Sequence, residues 1–233
     1  MTHIVFSVWL ALAAVAPAPR HFRIDMTRVS GTAAGATSVG GTRVLTSTFV
    51  SVTYRDTASE QVVTVVVDSM HFDADSILSR HLRAGQRTLP PGTTLRFRVN
   101  RGRVLDSLTS PVRNFIAPFT LEAIRLLFIA MPAQPAIGQQ WTDTLAATGD
   151  QMERNVFTTT WTVASAARPL LALSAIYTAR TTGNVSGVGT GTIQAHVSEF
   201  GLVDSLTLDS HSDIDFAGAP VKGTLIVSIT PVP

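Results

Sequence analysis

The stretch that decides the fold runs from Ser110 to Trp141 and reads SPVRNFIAPFTLEAIRLLFIAMPAQPAIGQQW. Leu121, Ile124, Leu127 and Phe128 recur at three- and four-residue spacing, the apolar stripe of a helix. Pro118 suits a first helical turn, where its missing N–H costs little. Thr120 is a second possible N-cap, and Glu122 then places negative charge at the positive end of the helix dipole. Leu126 and Ile129 widen the apolar face. Pro132 and Pro135 end the helix, Gly138 turns the chain, and Trp141 opens a strand pattern. The spacing predicts a helix over about 118–130. Such a helix plugs the open side of a curved sheet or acts as a lid above an apolar cavity.

On both sides the period changes from 3.6 to 2. Arg43–Arg55 sets Val44, Thr46, Thr48, Val50 and Val52 against Leu45, Ser47, Phe49 and Ser51. Gln61–Asp75 opens on VVTVVV, a run that requires burial. Leu95, Phe97 and Val99 alternate with Arg96 and Arg98, and Asn100-Arg101-Gly102 reads as a hairpin turn. Beyond the central stretch, strand patterns cover 141–147, 153–164, 170–182, 192–199, 202–216 and 224–232, with a glycine-rich connection expected over Gly183–Gly191. The segment SILSRHLRAGQR (76–87) is ambiguous between helix and strand. About ten strands with no βαβ spacing predict a mainly antiparallel, curved sheet, an incomplete barrel with one helix across its open side. GRVLDSLT at Gly102 and GLVDSLTL at Gly201 form an internal echo and suggest equivalent hairpins on either side of the helix.

Composition narrows the setting. The 233 residues contain no cysteine, which excludes disulfides and thiolate sites. Hydrophobic residues make up 45% and charged residues 15%, a balance that excludes global disorder. Residues 1–113 hold 13 Arg against 7 carboxylates; residues 114–233 hold 5 bases against 9. The two halves therefore carry opposite signs. Ile4–Ala16 is an apolar run of 13 residues ending in Ala-Val-Ala, the length and ending of a signal-peptide core, too short to span a bilayer. We expect residues 1–18 to be a signal peptide or apolar N-terminal segment, residues 19–233 to form a single β-rich domain, and the protein to be periplasmic or extracellular. Once the signal is removed, we expect no integral membrane protein.

Several polar sets stand out. Asp209, His211, Asp213 and Asp215 share one strand face, with Leu206, Leu208, Ile214 and Phe216 opposite. Asp209, His211 and Asp213 are the candidate metal ligands. Same-face residues stand about 6.5–7 Å apart, so one ion reaches only neighbours and needs ligands from an adjacent strand. Without them the ladder is a solvated outer face. His71, Asp73 and Asp75 repeat the pattern in the first half. Arg80, Arg83, Arg87, Arg96, Arg98, Arg101 and Arg103 suit an anionic partner or a charged outer face; without interleaved aromatics they do not indicate nucleic acid. Gly187, Gly189 and Gly191 lack the following helix of a dinucleotide site and read as close backbone approach. No nucleophile elbow is present. A closed outer-membrane barrel is disfavoured by the few aromatic residues and the central helix.

The run MPAQPAIGQQW (131–141) resembles a Pro-, Gly- and Trp-punctuated segment of exported bacterial β-rich proteins. The order of long strands, apolar helix and returning strands is similar to that of LolA/LppX-type lipid and lipoprotein carriers. That resemblance implies an incomplete barrel with helices in its mouth and an apolar ligand cavity. The expectation is an exported, non-enzymatic protein without cofactor that binds a lipid or acyl chain between sheet and helix. Phe119, Leu127, Phe128, Trp141 and Trp161 are the candidate lining residues, and an envelope protein is a possible partner. The alternatives are a structural or adhesive envelope module with a filled core, and a divalent-metal-dependent hydrolase.

Overall fold

The computed structural model describes residues 18–32, 41–56, 60–75, 87–107, 120, 123–148, 154–166, 169–183, 185–216 and 219–233. Alternation of apolar and polar residues carries these segments into eleven strands: β1 (Arg20–Thr32), β2 (Thr42–Asp56), β3 (Gln61–Ala74), β4 (Thr94–Asn100), β5 (Arg103–Ser107), β6 (Gln140–Thr148), β7 (Arg154–Ser165), β8 (Leu170–Thr182), β9 (Val185–Ser198), β10 (Val203–Phe216) and β11 (Ala219–Val232). β4 shows the rule: Leu95, Phe97 and Val99 are buried while Arg96 and Arg98 point outward. All strands join one antiparallel sheet in the order β5-β4-β3-β2-β1-β11-β10-β9-β8-β7-β6. The sheet is open, which removes the closed-barrel alternative. No described helix is long and apolar enough to cross a membrane.

The first and last strands pair at the middle of the sheet, with Ile24 opposite Ile229 and Met26 opposite Val227. The two strands joined by the central stretch, β5 and β6, are therefore the two edges. The described part of the chain between them, residues 123–139, lies against the concave face as a strap.

The strap is not the helix predicted over 118–130. Among the described residues, helix is confined to Thr120 and Ala123–Arg125. The N–H groups of Leu126, Leu127 and Phe128 then donate to the carbonyls of Ala123, Ile124 and Arg125, three residues back, which tightens the chain into a turn. From there the backbone turns to the sheet. Ile129 N–H donates to the Gly201 carbonyl, Val203 N–H to the Leu127 carbonyl, and Met131 N–H to the Arg101 carbonyl, while Phe128 bridges Leu202. Leu127, Phe128 and Ile129 are consecutive and all buried. A helix buries one stripe; an extended strap with protein on both sides buries all three.

The strap is pinned at two hairpin ends. Arg101 (φ 47°) and Gly102 (φ 75°) form the two-residue β4–β5 turn with both residues in the left-handed region. Gly201 (φ 81°) closes the β9–β10 turn. These glycines begin the two echoing sequences, and both abut the Ile129 carbonyl. A Cβ on Gly102 would lie 1.8 Å from that oxygen, and one on Gly201 2.1 Å from it. This end of the molecule is sealed.

Curvature is set in β9. The glycine-rich stretch expected as a connection is a strand from Val185 onward. Its glycines face the concave side, where a Cβ on Gly187 would stand 2.6 Å from the Asp213 carbonyl oxygen and one on Gly191 2.3 Å from that of Asp209. The sheet bends too sharply there for side chains.

At the sealed end Arg20 on β1 reaches across β11 to pair with Asp204, just inside β10, and stacks over the Phe22 ring at 5.1 Å. Tyr54 of β2 lies beside Arg20. Burial raises its phenol above the ordinary value of 10.0, while the charge and hydrogen bond of Arg20 offset part of that rise.

Two outcomes follow from this geometry. Gly102→Ala or Gly201→Ala should lower the unfolding free energy by more than about 2 kcal/mol, since strain and a backbone clash combine. Gly138→Ala, at φ 80° with open space around it, should cost only the conformational part, about 1–2 kcal/mol; urea midpoints compare them. Stability should also fall as pH rises through and above 10.0, because the unfolded chain releases the Tyr54 proton first. Tyr54→Phe should flatten that alkaline slope in denaturation curves taken between about pH 9 and 11.

Candidate functional site

Side chains at the same level of successive strands form transverse rows on the concave face, fixed by the pairing register. One row runs Met26, Val227, Leu208, Ile193, Ala175, Trp161, Trp141 from β1 to β6. It is wholly apolar apart from the indole N–H groups. The next row, away from the sealed end, runs Arg28, Leu225, Ser210, Gly191, Tyr177, Thr159, Asp143. The third runs Ser30, Gly223, Ser212, Gly189, Ala179, Phe157.

Between the first two rows and the strap lies a half-open cavity of about 210 Å³. Its floor is Met26, Val227, Leu208, Ile193 and Trp161, and its roof is Ala123, Leu126, Phe128 and Ile129. Leu225, Tyr177, Thr159 and Phe157 extend the wall, and Arg28, Arg125 and Asp143 border it with charge. Arg28 and Asp143 stand six strand steps apart, roughly 29 Å along the sheet at ~4.8 Å per step. Only a strong curl brings both to one cavity. The first half of the concave face is filled instead: Val50, Val52, Val63, Val65, Val67, Leu95, Phe97 and Val99 are buried in one cluster with Leu89, Ile124 and Leu127.

The predicted lining residues divide. Phe128 and Trp161 line the cavity. Phe128 also packs on Phe97, with ring centroids 5.4 Å apart and planes tilted by 51°. Leu127 is buried in the core beside the cavity. Trp141 stacks on Trp161, centroids 6.4 Å apart and planes 20° apart. Its Nε1 is buried and has no partner among the described residues. Phe119 lies outside the described residues. Sequence reading missed Arg28, Leu208, Tyr177, Leu225 and Val227. Each sits on the inward parity of its strand, so the signal was present, but the register that aligns them was not.

The candidate metal ligands face the other way. Asp209, His211 and Asp213 are exposed on the convex face of β10. His211 Nε2 is 3.7 Å from an Asp209 oxygen, and His211 Nδ1 is 3.4 Å from Thr224 Oγ1. His71 and Asp73 lie on β3, with β2, β1 and β11 between them and β10, so the two ladders do not meet. Asp75, just beyond β3, accepts the Arg43 backbone N–H at 2.9 Å. No cluster of three or more metal-ligating side chains occurs among the described residues. Of the arginine patch, Arg80 and Arg83 lie outside the described residues; Arg96, Arg98, Arg101 and Arg103 are exposed, and Arg98 reaches Glu60 at 3.7 Å.

One polar set was not foreseen. On the convex face Ser51 Oγ donates to Asp68 at 2.7 Å and lies 3.0 Å from His21 Nδ1. In a nucleophilic triad the imidazole stands between serine and carboxylate. Here serine stands between the other two and gives its proton to the carboxylate, which leaves the hydroxyl unactivated.

No protein-family model matches the chain, and no curated protein matches its sequence. Among solved structures, the fold is similar to part of lipovitellin, in a structure describing lipid–protein interactions in that protein, with a TM-score of 0.57 at 12% identity. The likeness covers 92% of this chain and 25% of the lipovitellin chain. The shared feature is the fold: a large antiparallel β-sheet.

The outward ladder predicts a plain result. Addition of Ca²⁺, Mn²⁺ or Zn²⁺ should leave the melting temperature within scan error, and a rise of several degrees would place a metal on Asp209, His211 and Asp213.

Proposed function

We propose that this protein is an exported, non-enzymatic binder of an apolar ligand, an acyl chain held between the strap and the concave face. The cavity carries the reading: apolar residues of one transverse row, from five strands, form its floor, and the strap roofs it. Ligand pockets for drug-sized molecules run at about 300–1,000 Å³. The smaller space here suits one narrow chain. The fold it shares with a lipovitellin structure concerned with lipid–protein interactions agrees with a lipid ligand. The apolar run Ile4–Ala16 supports export to the periplasm or beyond.

The filled first half of the concave face favours a second reading, a structural envelope module whose remaining space is incidental. Ligand measurements separate the two. Native mass spectrometry of gently purified protein should show a bound lipid, and a neutral polarity-sensitive dye should enter the delipidated cavity and quench tryptophan emission through Trp161. Leu225→Trp, which places an indole in the cavity, should weaken dye binding at least about tenfold with the urea midpoint unchanged. Absence of both co-purified lipid and dye binding would establish the structural module instead.

A further inference from the structure

The cavity is not uniform, and its asymmetry describes the ligand more closely than its apolarity does. Moving away from the sealed end, the transverse rows change character in one step. The row of Met26, Val227, Leu208, Ile193 and Trp161 offers only hydrocarbon and aromatic surface to the cavity. The adjoining row offers the Arg28 guanidinium, the Tyr177 and Thr159 hydroxyls and, at the far strand, the Asp143 carboxylate. The strap adds a second guanidinium, Arg125, on the last residue of its helical turn. Among the described residues the rim therefore carries two cations to one anion. Arg28 belongs to β1 at the centre of the sheet and Asp143 to the edge strand β6, so positive and negative charge border the cavity from opposite sides.

From this polarity gradient we infer that the ligand is a single-chain amphiphile with an anionic head, its tail on the Trp161–Leu208–Met26 floor and its head at Arg28 and Arg125. The inference rests on the apolar-site reading and adds the head. Three features converge on it. The floor is fully apolar and satisfies a hydrocarbon chain without leaving a polar group unpaired. The volume of about 210 Å³ admits one chain rather than two. A guanidinium holds a carboxylate or a phosphate through paired, charge-assisted hydrogen bonds, and two of them beside a low-dielectric cavity favour an anion over a neutral hydroxyl. Asp143 repels an anion from the β6 side of the cavity and leaves the β1 side, at Arg28, as its place.

The test uses the full delipidated protein and ligands that differ only in the head. Dodecanoate and 1-dodecanol are each titrated against a bound neutral dye. Dodecanoate should displace it at a concentration about tenfold or more below that of the alcohol. Arg28→Gln with Arg125→Gln should bring the acid to the affinity of the alcohol while leaving the alcohol unchanged, and added salt should narrow the gap in the wild type. Arg125 is exposed, so Arg125→Gln alone gives a folded variant in which the preference is reduced. Dodecyl phosphate in a parallel titration assigns the source: a tighter grip on the carboxylate indicates a fatty acid, on the phosphate a lysolipid-type head, and either upholds the inference. Equal binding of dodecanoate and dodecanol, or an equal loss of both in the double variant, overturns the anionic head and leaves the apolar site standing. Failure of both to bind overturns the apolar site itself.

Discussion

Everything in this molecule depends on where its first and last strands meet. β1 and β11 pair along nearly their whole length at the centre of the sheet, so each half meanders outward and the two edges are strands adjacent in sequence. An open antiparallel sheet has one apolar face that must be covered. Here the cover comes from the connection between the two edge strands, β5 and β6. The strap is thus a consequence of topology, and its apolar composition is what allows it to serve as the second layer of a core.

The strap acts as an anchor at one end only. Its backbone bonds at Ile129, Met131 and Val203 fasten the Arg101–Gly102 turn to the Gly201 turn, and the two glycines leave room for one carbonyl oxygen between them. Arg20 and Asp204 reinforce the same end from inside the sheet. At the other end the concave face is lined by Ser30, Ser212, Gly189 and Gly223, small residues that let the sheet curl and supply little to fill it. Space between sheet and strap arises where bulky floor residues give way to this narrow stripe. In the first half the branched valines on β2 and β3 are buried in one cluster with Leu89 and Ile124.

Much of this was legible in the sequence. Period-two alternation placed most of the strands, as with Leu95, Phe97 and Val99 between arginines, and the absence of crossover spacing fixed them as antiparallel. The same alternation showed the Asp209–His211–Asp213 ladder to be opposite Leu206 and Leu208, hence outward. The helix was misread for a definite reason. Leu121, Ile124, Leu127 and Phe128 satisfy helical spacing whether or not the chain continues as helix, and the deciding bonds to Gly201 and Arg101 come from residues about 70 and 30 positions away in sequence. The glycines of β9 were misplaced similarly: glycine signals a turn locally and close packing only when the neighbouring strand is known. Phe128 and Trp161 stood out as large apolar residues. Arg28, Tyr177 and Leu225 did not, because only the register brings side chains from five strands to one row.

The direction of access follows from the same arrangement. At the Gly102 and Gly201 end three backbone hydrogen bonds and the Ile129 carbonyl would have to part before a ligand could pass, whereas Arg28, Arg125, Tyr177 and Thr159 border the cavity on the side away from them. An amphiphile approaching from that side meets guanidinium and hydroxyl groups first and hydrocarbon last. Its tail would have to lead, since a head carried to the floor would lose its hydration with no partner among Met26, Leu208 and Val227. For the amphiphile proposed above, polarity thus favours one orientation, with the strap fixed by the bonds at its Gly102 and Gly201 end and the tail in the space beneath its helical turn.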